Sequence, residues 1–340
     1  MGGARVMYEY ANRFAAAGHQ VTVLHSLRRP FKKMRSPLWW KRLVFACRGA
    51  ARPAWFPLDN RVNSKIVDEI SDMFVPDGDI LFSTWWQTAY ALAQLAPRKG
   101  IRVNLVQDYE NWTGQEDLVK SSYRLPLEQA AISNWLRVLV ENESGRKVQL
   151  LPNAIDTNNF TKVVAPATRD HLSVLALYSE EPRKGTRYIL AALEPLRAQY
   201  SGLCFSFFGV YPRPASLPEW VQYYQKPKDL ESLYNQHAIF LSASLGEGWA
   251  LPPAEAMACG CAVVCTNIGG HADYTKENET ALLIPTENTA AIITALTTLF
   301  DNQALRIQLA EKSREQLLEK FSWEQSVATA LQWFDSLQKG

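Results

Sequence analysis

The sequence predicts an α/β protein of two doubly wound parallel sheets, and three observations carry that expectation. Short β-rich apolar runs alternate with helical patterns along almost the whole chain, as βαβ units do. At 340 residues the chain has the length of two domains, taking about 150 residues for each. A turn-rich stretch near the middle, Pro152 to Asp170, shows neither helical nor strand periodicity and reads as a linker.

In chain order, the first series of strands is expected at Val21 to Leu24, Ile80 to Phe82, Val103 to Val106 and Val148 to Leu151, with helices over Arg5 to Ala17 and Arg61 to Phe74. The second series is Ser173 to Leu177, Cys204 to Phe208, Ile239 to Leu241, Ala262 to Cys265 and Leu282 to Ile284. Its helices are Lys184 to Gln199, Leu230 to Gln236 and Thr289 to Asp301. These place an N-terminal domain at 1–157, a C-terminal domain at 158–320 and a last helical segment at 321–340 that returns to the first domain. Ligands of such sheets sit beyond the carboxyl ends of the strands, so a cleft between the domains is the expected site. The chain opens on Gly2-Gly3 and a helix, whereas a βαβ unit needs a strand before its glycine turn. The first strand of the N-terminal domain is therefore expected to be missing, through truncation, a misplaced start or a sheet without its central strand.

Composition narrows the class. The chain is 47% hydrophobic and 21% charged with a formal net charge of +2, which argues against nucleic-acid binding by bulk charge. The five cysteines, Cys47, Cys204, Cys259, Cys261 and Cys265, lack zinc or thioredoxin spacing and read as small buried thiols in a reducing compartment. No apolar run approaches the ~20 residues that cross a bilayer, so a cytosolic protein is expected.

The stretch Glu247 to Val263, "EGWALPPAEAMACGCAV", carries the chemistry. Pro252 and Pro253 fit the first positions of a helix that Gly260 stops. The preceding loop, Gly248-Trp249-Ala250-Leu251, aims amides and the positive helix end at one spot, which favours a phosphate. Glu255 is expected in the first turn, with Glu247 one loop earlier, roughly 10 Å or more away. That is wide for the paired carboxylates of a glycosidase and suits gripping two ends of one ligand. The plainer alternative makes Glu255 a helix-dipole partner and Glu247 a solvated loop residue.

The segment "SASLGEGWALPPAEAMACGCAVVCTNIGGHADY" resembles the donor-site signature of the retaining glycosyltransferases of family 4, which have the GT-B fold. "GGARV…GHQVTVL", "LPNAIDTNNF", "RKGTRYILAAL", "DLESLYNQHAIFLSAS", "ALLIP" and "FSWEQS" follow the family's order and cover nearly the whole chain. The resemblance implies a nucleotide-diphosphate-sugar donor and a glycan or lipid-linked hydroxyl acceptor, in surface polysaccharide synthesis. It implies Glu247 as the catalytic carboxylate at the transferred sugar and Glu255 at the ribose hydroxyls. It further implies that the amides of Trp249, Ala250 and Leu251 hold the phosphate, that Lys184 with Arg183 neutralises the leaving group, and that Gly2 and Gly3 line the cleft. No cofactor and no metal are expected. The family's usual Arg is replaced by Ser179 or Tyr178, and the N-terminal His near the reaction centre is absent from "FSTWWQTAY". Alternatives are a hydrolysing nucleotide-sugar epimerase and a non-catalytic nucleotide-sugar-binding subunit that supports a partner transferase.

On the acceptor side, Asp108 and Glu110 of "VQDYENW" follow a strand end, and that stretch weakly resembles a rhamnosyltransferase-like subset; capping or surface roles are the alternative. Trp85 and Trp86 serve sugar stacking or helix packing. His271, after Gly269-Gly270, is a candidate ligand, whereas His19, His25, His171 and His237 read as turn or edge residues. Between Leu27 and Leu58 lie nine Arg or Lys and no acid, interleaved with six aromatic residues. This composition suits an anionic membrane surface or a lipid-linked acceptor at the inner membrane face, or a solvated loop; no nucleic-acid module accompanies it.

Overall fold

A computed structural model describes residues 2–31, 33–34 and 36–339, so Lys32 and Arg35 of the basic segment lie outside the described residues. The chain divides into unit 1, Met1–Asn153 with Glu324–Gly340, and unit 2, Ala154–Trp323.

Unit 1 runs α1 (Gly2–Ala16), β1 (Thr22–Ser26), α2 (Leu38–Cys47), β2 (Asn63–Val67), β3 (Ile80–Thr84), α3 (Trp86–Ala93), β4 (Ile101–Val106), α4 (Glu116–Ser122), β5 (Glu128–Ala131), α5 (Asn134–Ser144) and β6 (Gln149–Leu150). Its strands form two parallel sheets, β1-β2 and β3-β4-β5-β6. Helix α1 serves both. Tyr8, Ala11 and Ala15, spaced i, i+3 and i+7, pack with Phe56, Leu58 and Val62 beside Val21 and Val23 of the β1 region. On its adjacent flank Tyr10 and Phe14 meet Phe82 of β3. Phe334 of the last helix (Trp323–Lys339) closes on Phe14 and Phe82, and Ser326 Oγ donates to Pro152 O.

The helix expected over Arg61 to Phe74 does not form. Asn63–Val67 is instead a strand in register with β1, Thr22 opposite Asn63 through Ser26 opposite Val67. Val62 and Ile66 are four residues apart, an even spacing that one strand face satisfies as well as a helix does. That pairing satisfies the groups on one edge of β1; among the described residues no strand pairs with its other edge.

Unit 2 runs β7 (Ser173–Leu177), α6 (Thr186–Gln199), β8 (Cys204–Gly209), β9 (Gln222–Gln225), α7 (Leu230–Asn235), β10 (Ile239–Ser242), α8 (Leu251–Ala258), β11 (Ala262–Thr266), α9 (Gly269–Ala272), β12 (Leu282–Ile284), α10 (Thr289–Asp301) and α11 (Gln303–Lys320). One parallel sheet of order β12-β11-β10-β7-β8-β9 takes all six strands. Val174, Phe205, Phe207, Ile239, Leu241 and Val264 of the sheet share a core with Ile189, Leu193, Leu296 and Leu299 of α6 and α10. Helices cover both faces of such a sheet, which is why its strands read as continuous apolar runs. The chain leaves β7 for β8 and β9 and then returns to β10 on the other side, so the strand order reverses between β7 and β10.

The turn-rich linker is tied down by Arg169, which is buried without a carboxylate. Its Nη1 donates to Tyr234 O (3.3 Å) and His237 O (3.0 Å), and its Nη2 to Val164 O (2.7 Å), Cys259 O (2.5 Å) and Asn235 Oδ1 (3.2 Å). Cys259, Cys261 and Cys265 are buried thiols; Cys47 is exposed, contrary to the buried role expected of it. Arg169→Met removes every donor from this cage of acceptors, and urea unfolding is expected to show a loss of about 3 kcal/mol or more.

Candidate active site

Each side chain at the β7/β10 reversal is placed by a short turn. After β7, Pro182–Lys184 forms one 3₁₀ turn that ends on Gly185 at φ 68°. A Cβ there would lie 1.8 Å from Ala243 O, so only glycine lets this turn press against the loop after β10. After β10, Ser242 leads into the Glu247 loop and then α8. Gly270 of α9 backs that loop, because a Cβ at Gly270 would sit 2.5 Å from the Glu247 carbonyl oxygen.

The two turns bring together Lys184 and Glu247, 63 residues apart in sequence. Lys184 Nζ donates to both carboxylate oxygens of Glu247, at 2.6 and 2.8 Å, and Ser244 Oγ donates to Oε1 at 2.8 Å. Both charged side chains are mostly covered, at 20% and 11% exposure, where a charge-assisted pair outweighs its solvated equivalent. They line a small crevice, partly open to solvent, with Leu177, Ser244, Ala250 and Pro252 among its walls. Ligands of doubly wound sheets bind at such a reversal point, beyond the strand carboxyl ends.

Helix α8 begins at Leu251 with proline in its first positions, and Gly260 at φ 81° follows its end. Glu255 therefore lies beyond the first turn, not within it. It is buried, and Tyr234 Oη donates to its Oε2 at 3.1 Å. Burial, then the Glu255 charge, push the Tyr234 hydroxyl well above its ordinary pKa, so Tyr234 stays a donor. The Ala250 amide, expected at a phosphate, is already committed to Gly270 O at 3.0 Å. Arg183 Nε is bonded to Glu181 at 2.6 Å. Ser179 and Thr186, near the missing Arg, close the β7 turn on each other.

His271 is fully buried. Its Nδ1 faces Thr266 O at 2.7 Å and so carries the hydrogen, leaving Nε2 an acceptor with no hydrogen-bond partner among the described residues. Burial lowers its pKa, opposed by the bond to Thr266 O and by the Glu247 charge. His237 is not an edge residue: it is buried between Leu233 O and Ser206 Oγ.

In unit 1 the acceptor-side candidates gather at the carboxyl ends of β3 and β4. Glu110 Oε2 accepts from the Trp86 amide at 3.0 Å. Trp85 caps α3 at φ 79°, ψ 130°, a conformation costly for a residue with a Cβ. Trp86 is buried against Phe31 and Tyr90, the packing alternative. Gly2 and Gly3 are exposed at the start of α1, and Gln107 Nε2 donates to Gly3 O and Thr84 Oγ1. Sequence reasoning missed Ser244 and Tyr234, whose spacing from the carboxylates they serve carries no motif.

These two units of parallel sheets and helices have the two-domain α/β fold of GT-B glycosyltransferase structures. Sucrose-phosphate synthase from Thermosynechococcus elongatus matches 97% of this chain, and 92% of its own, with a TM-score of 0.71 and 17% identity. Anabaena HepE, solved with UDP and glucose, matches 98% and 95% with a TM-score of 0.71 and 13% identity. Residues 169–302 match the family described as Glycosyl transferases group 1. Among curated relatives, a human phosphatidylinositol N-acetylglucosaminyltransferase chain is 30% identical over 150 residues, which are 41% of this chain and 31% of that protein. The match thus spans less than half of that relative's own length.

Glu110 supplies a pH test. Burial, opposed by the Trp86 amide and reinforced by Asp108, pushes its pKa up to about 7. Between the ordinary carboxyl range and pH 7 the folded chain thus holds a proton that the unfolded chain has lost. Stability is present at the acid end of that window and falls as pH rises through it, by about 2–3 kcal/mol. Glu110→Gln is expected to flatten the dependence in denaturant titrations at pH 5 and pH 8.

Proposed function

We propose that this protein is a retaining, metal-independent glycosyltransferase of family 4, moving a sugar from a nucleoside-diphosphate donor to a hydroxyl on a glycan or lipid-linked acceptor. The observation that carries the reading is the Lys184–Glu247 pair in the crevice at the β7/β10 reversal. An ammonium and a carboxylate, each partly covered and each the other's partner, are what a ligand with a phosphate end and a hydroxyl end would separate. The diphosphate takes Lys184, and Glu247 accepts hydrogen bonds from the sugar. Glu255 takes the ribose hydroxyls by exchanging its bond from Tyr234. Trp249 and Leu251 supply amides to the phosphate with Gly248 allowing the approach, and Arg183 assists Lys184 once released from Glu181.

Transfer follows by front-side attack. The bond from the sugar C1 to the phosphate oxygen breaks, the acceptor oxygen bonds to C1, and the acceptor proton passes to the departing phosphate oxygen. Glu247 stabilises the developing positive charge at C1 and lends no proton. Lys184 balances the growing negative charge on the diphosphate, which is the service a metal ion performs elsewhere. Asp108 and Glu110 are assigned to acceptor hydroxyls. A lipid-linked acceptor is supported by the name of the human relative, which couples phosphatidylinositol to N-acetylglucosaminyl transfer. The basic segment 27–58 supports action at the cytoplasmic face of a membrane; no helix among the described residues is long and apolar enough to cross one. The weak rhamnosyltransferase-like signal makes a deoxyhexose the first donor to try.

Saturation-transfer NMR with a panel of nucleotide-sugars tests this. One donor is expected to bind selectively and to be lost in Glu255→Ala, while Glu247→Ala lowers transfer or donor hydrolysis by about 100-fold or more. No binding to any donor, or full activity in both variants, overturns the reading. Binding without turnover in the unaltered protein would support a non-catalytic nucleotide-sugar-binding role instead.

A further inference from the structure

Helix α2 carries one stripe of apolar side chains outward, while Leu38, Val44 and Phe45 are half-buried. None of its ten residues is buried. The exposed positions include Trp39, Trp40, Leu43, Ala46 and Cys47, which recur at i, i+3 or i+4, and i+7 and so share one stripe. Trp39 is 66% exposed and Leu43 50%. Polar side chains hold the helix to unit 1: Lys41 Nζ donates to Leu27 O at 3.2 Å, and Arg42 makes two bonds to Asp68, at 2.6 and 2.5 Å. Tethered this way, the helix turns two tryptophans and a leucine to solvent, the reverse of a surface helix feeding a core. Phe31, Met34 and Trp55 in the flanking segments are exposed as well.

The surrounding charge selects the occupant. Residues 27–58 contain no acid. Asp68 and Glu69 answer only Arg42 and Arg28, and among the described residues Lys33 and Arg48 have no acidic partner. A protein groove would match this one-signed rim only with an acidic rim of its own, whereas an anionic lipid surface presents phosphates across its whole plane. Adjacent tryptophans, apolar in body and polar at the ring nitrogen, fit the headgroup boundary. Ten residues of helix span only ~15 Å, half a hydrocarbon core, so the helix lies in the plane of the surface.

We propose that α2 is a membrane-docking element whose Trp39–Trp40–Leu43 stripe enters the headgroup boundary of an anionic lipid surface while Lys33 and Arg48 meet its phosphates. The inference deepens the membrane-surface part of the proposed function, yet its test needs no sugar transfer. Vesicles of phosphatidylcholine alone, and of phosphatidylcholine mixed with phosphatidylglycerol, are sedimented with the full chain. Brominated acyl chains then report tryptophan insertion by quenching.

Binding and quenching are expected with the anionic vesicles and not with the neutral ones. Trp39→Ser, Trp40→Ser and Leu43→Ser together are expected to weaken partitioning at least ~10-fold, and Lys33→Gln with Arg48→Gln roughly 5-fold per cation at low salt. Unchanged unfolding midpoints certify each variant's fold. A chain that stays in the supernatant with anionic vesicles, or a triple variant that binds like the original, overturns the proposal. So does a dimer in solution that dissociates on the triple substitution while vesicles remain unbound, because a second copy then covers the stripe. Vesicle binding without nucleotide-sugar binding leaves the docking intact and removes the transferase reading; the opposite pair of results does the reverse.

Discussion

Strand order in unit 2 reverses between β7 and β10, and the loops leaving those two strands lead to helices on opposite faces of the sheet. The divergence at the strand ends is lined by what the loops themselves project into it. Lys184 comes from the turn before α6 and Glu247 from the loop before α8, and they meet because Gly185 and Gly270 let backbone approach backbone where a Cβ would collide. The ion pair is thus a product of topology, joining two segments that are far apart in the chain.

The same constraint separates roles around the crevice. Glu247 is gripped by two donors, Lys184 and Ser244, whose bonds a ligand can replace. Glu255 sits deeper, against the hydroxyl of a fully buried tyrosine. Two carboxylates in one loop-helix segment therefore have different surroundings, one near solvent between an ammonium and a hydroxyl, the other enclosed beside a tyrosine hydroxyl. His271, next to Gly270, is fully buried, and of the charged side chains Lys184 and Glu247 are the two that line the crevice.

Much of this fold can be read from the sequence because unit 2 buries its strands on both faces. Ser173–Leu177 and Leu282–Ile284 stand out as apolar runs, and Thr289–Asp301 shows its helical period without help. The polar edge strand Gln222–Gln225 and the alanine-rich Glu128–Ala131 carry no such run and escape a reading by periodicity. Asn63–Val67 reads as helix because one spacing serves both periods. At the site, the residue types are legible in the run from Glu247 to Gly260, but their partners are not. The commitment of the Ala250 amide to Gly270, the burial of Trp86 and the contact of Lys184 with Glu247 are tertiary facts that no local spacing encodes.

The central claim is that Glu247 occupies the cation a diphosphate must take, and a double-mutant cycle read by calorimetry tests it most directly. Nucleoside diphosphates lacking a sugar are titrated into the original protein, Glu247→Gln, Lys184→Met and the double variant. If the two groups compete, Glu247→Gln tightens diphosphate binding while Lys184 is present and has no effect once Lys184 is gone. Equal affinity in the original and Glu247→Gln proteins, or binding that survives Lys184→Met undiminished, would contradict the account.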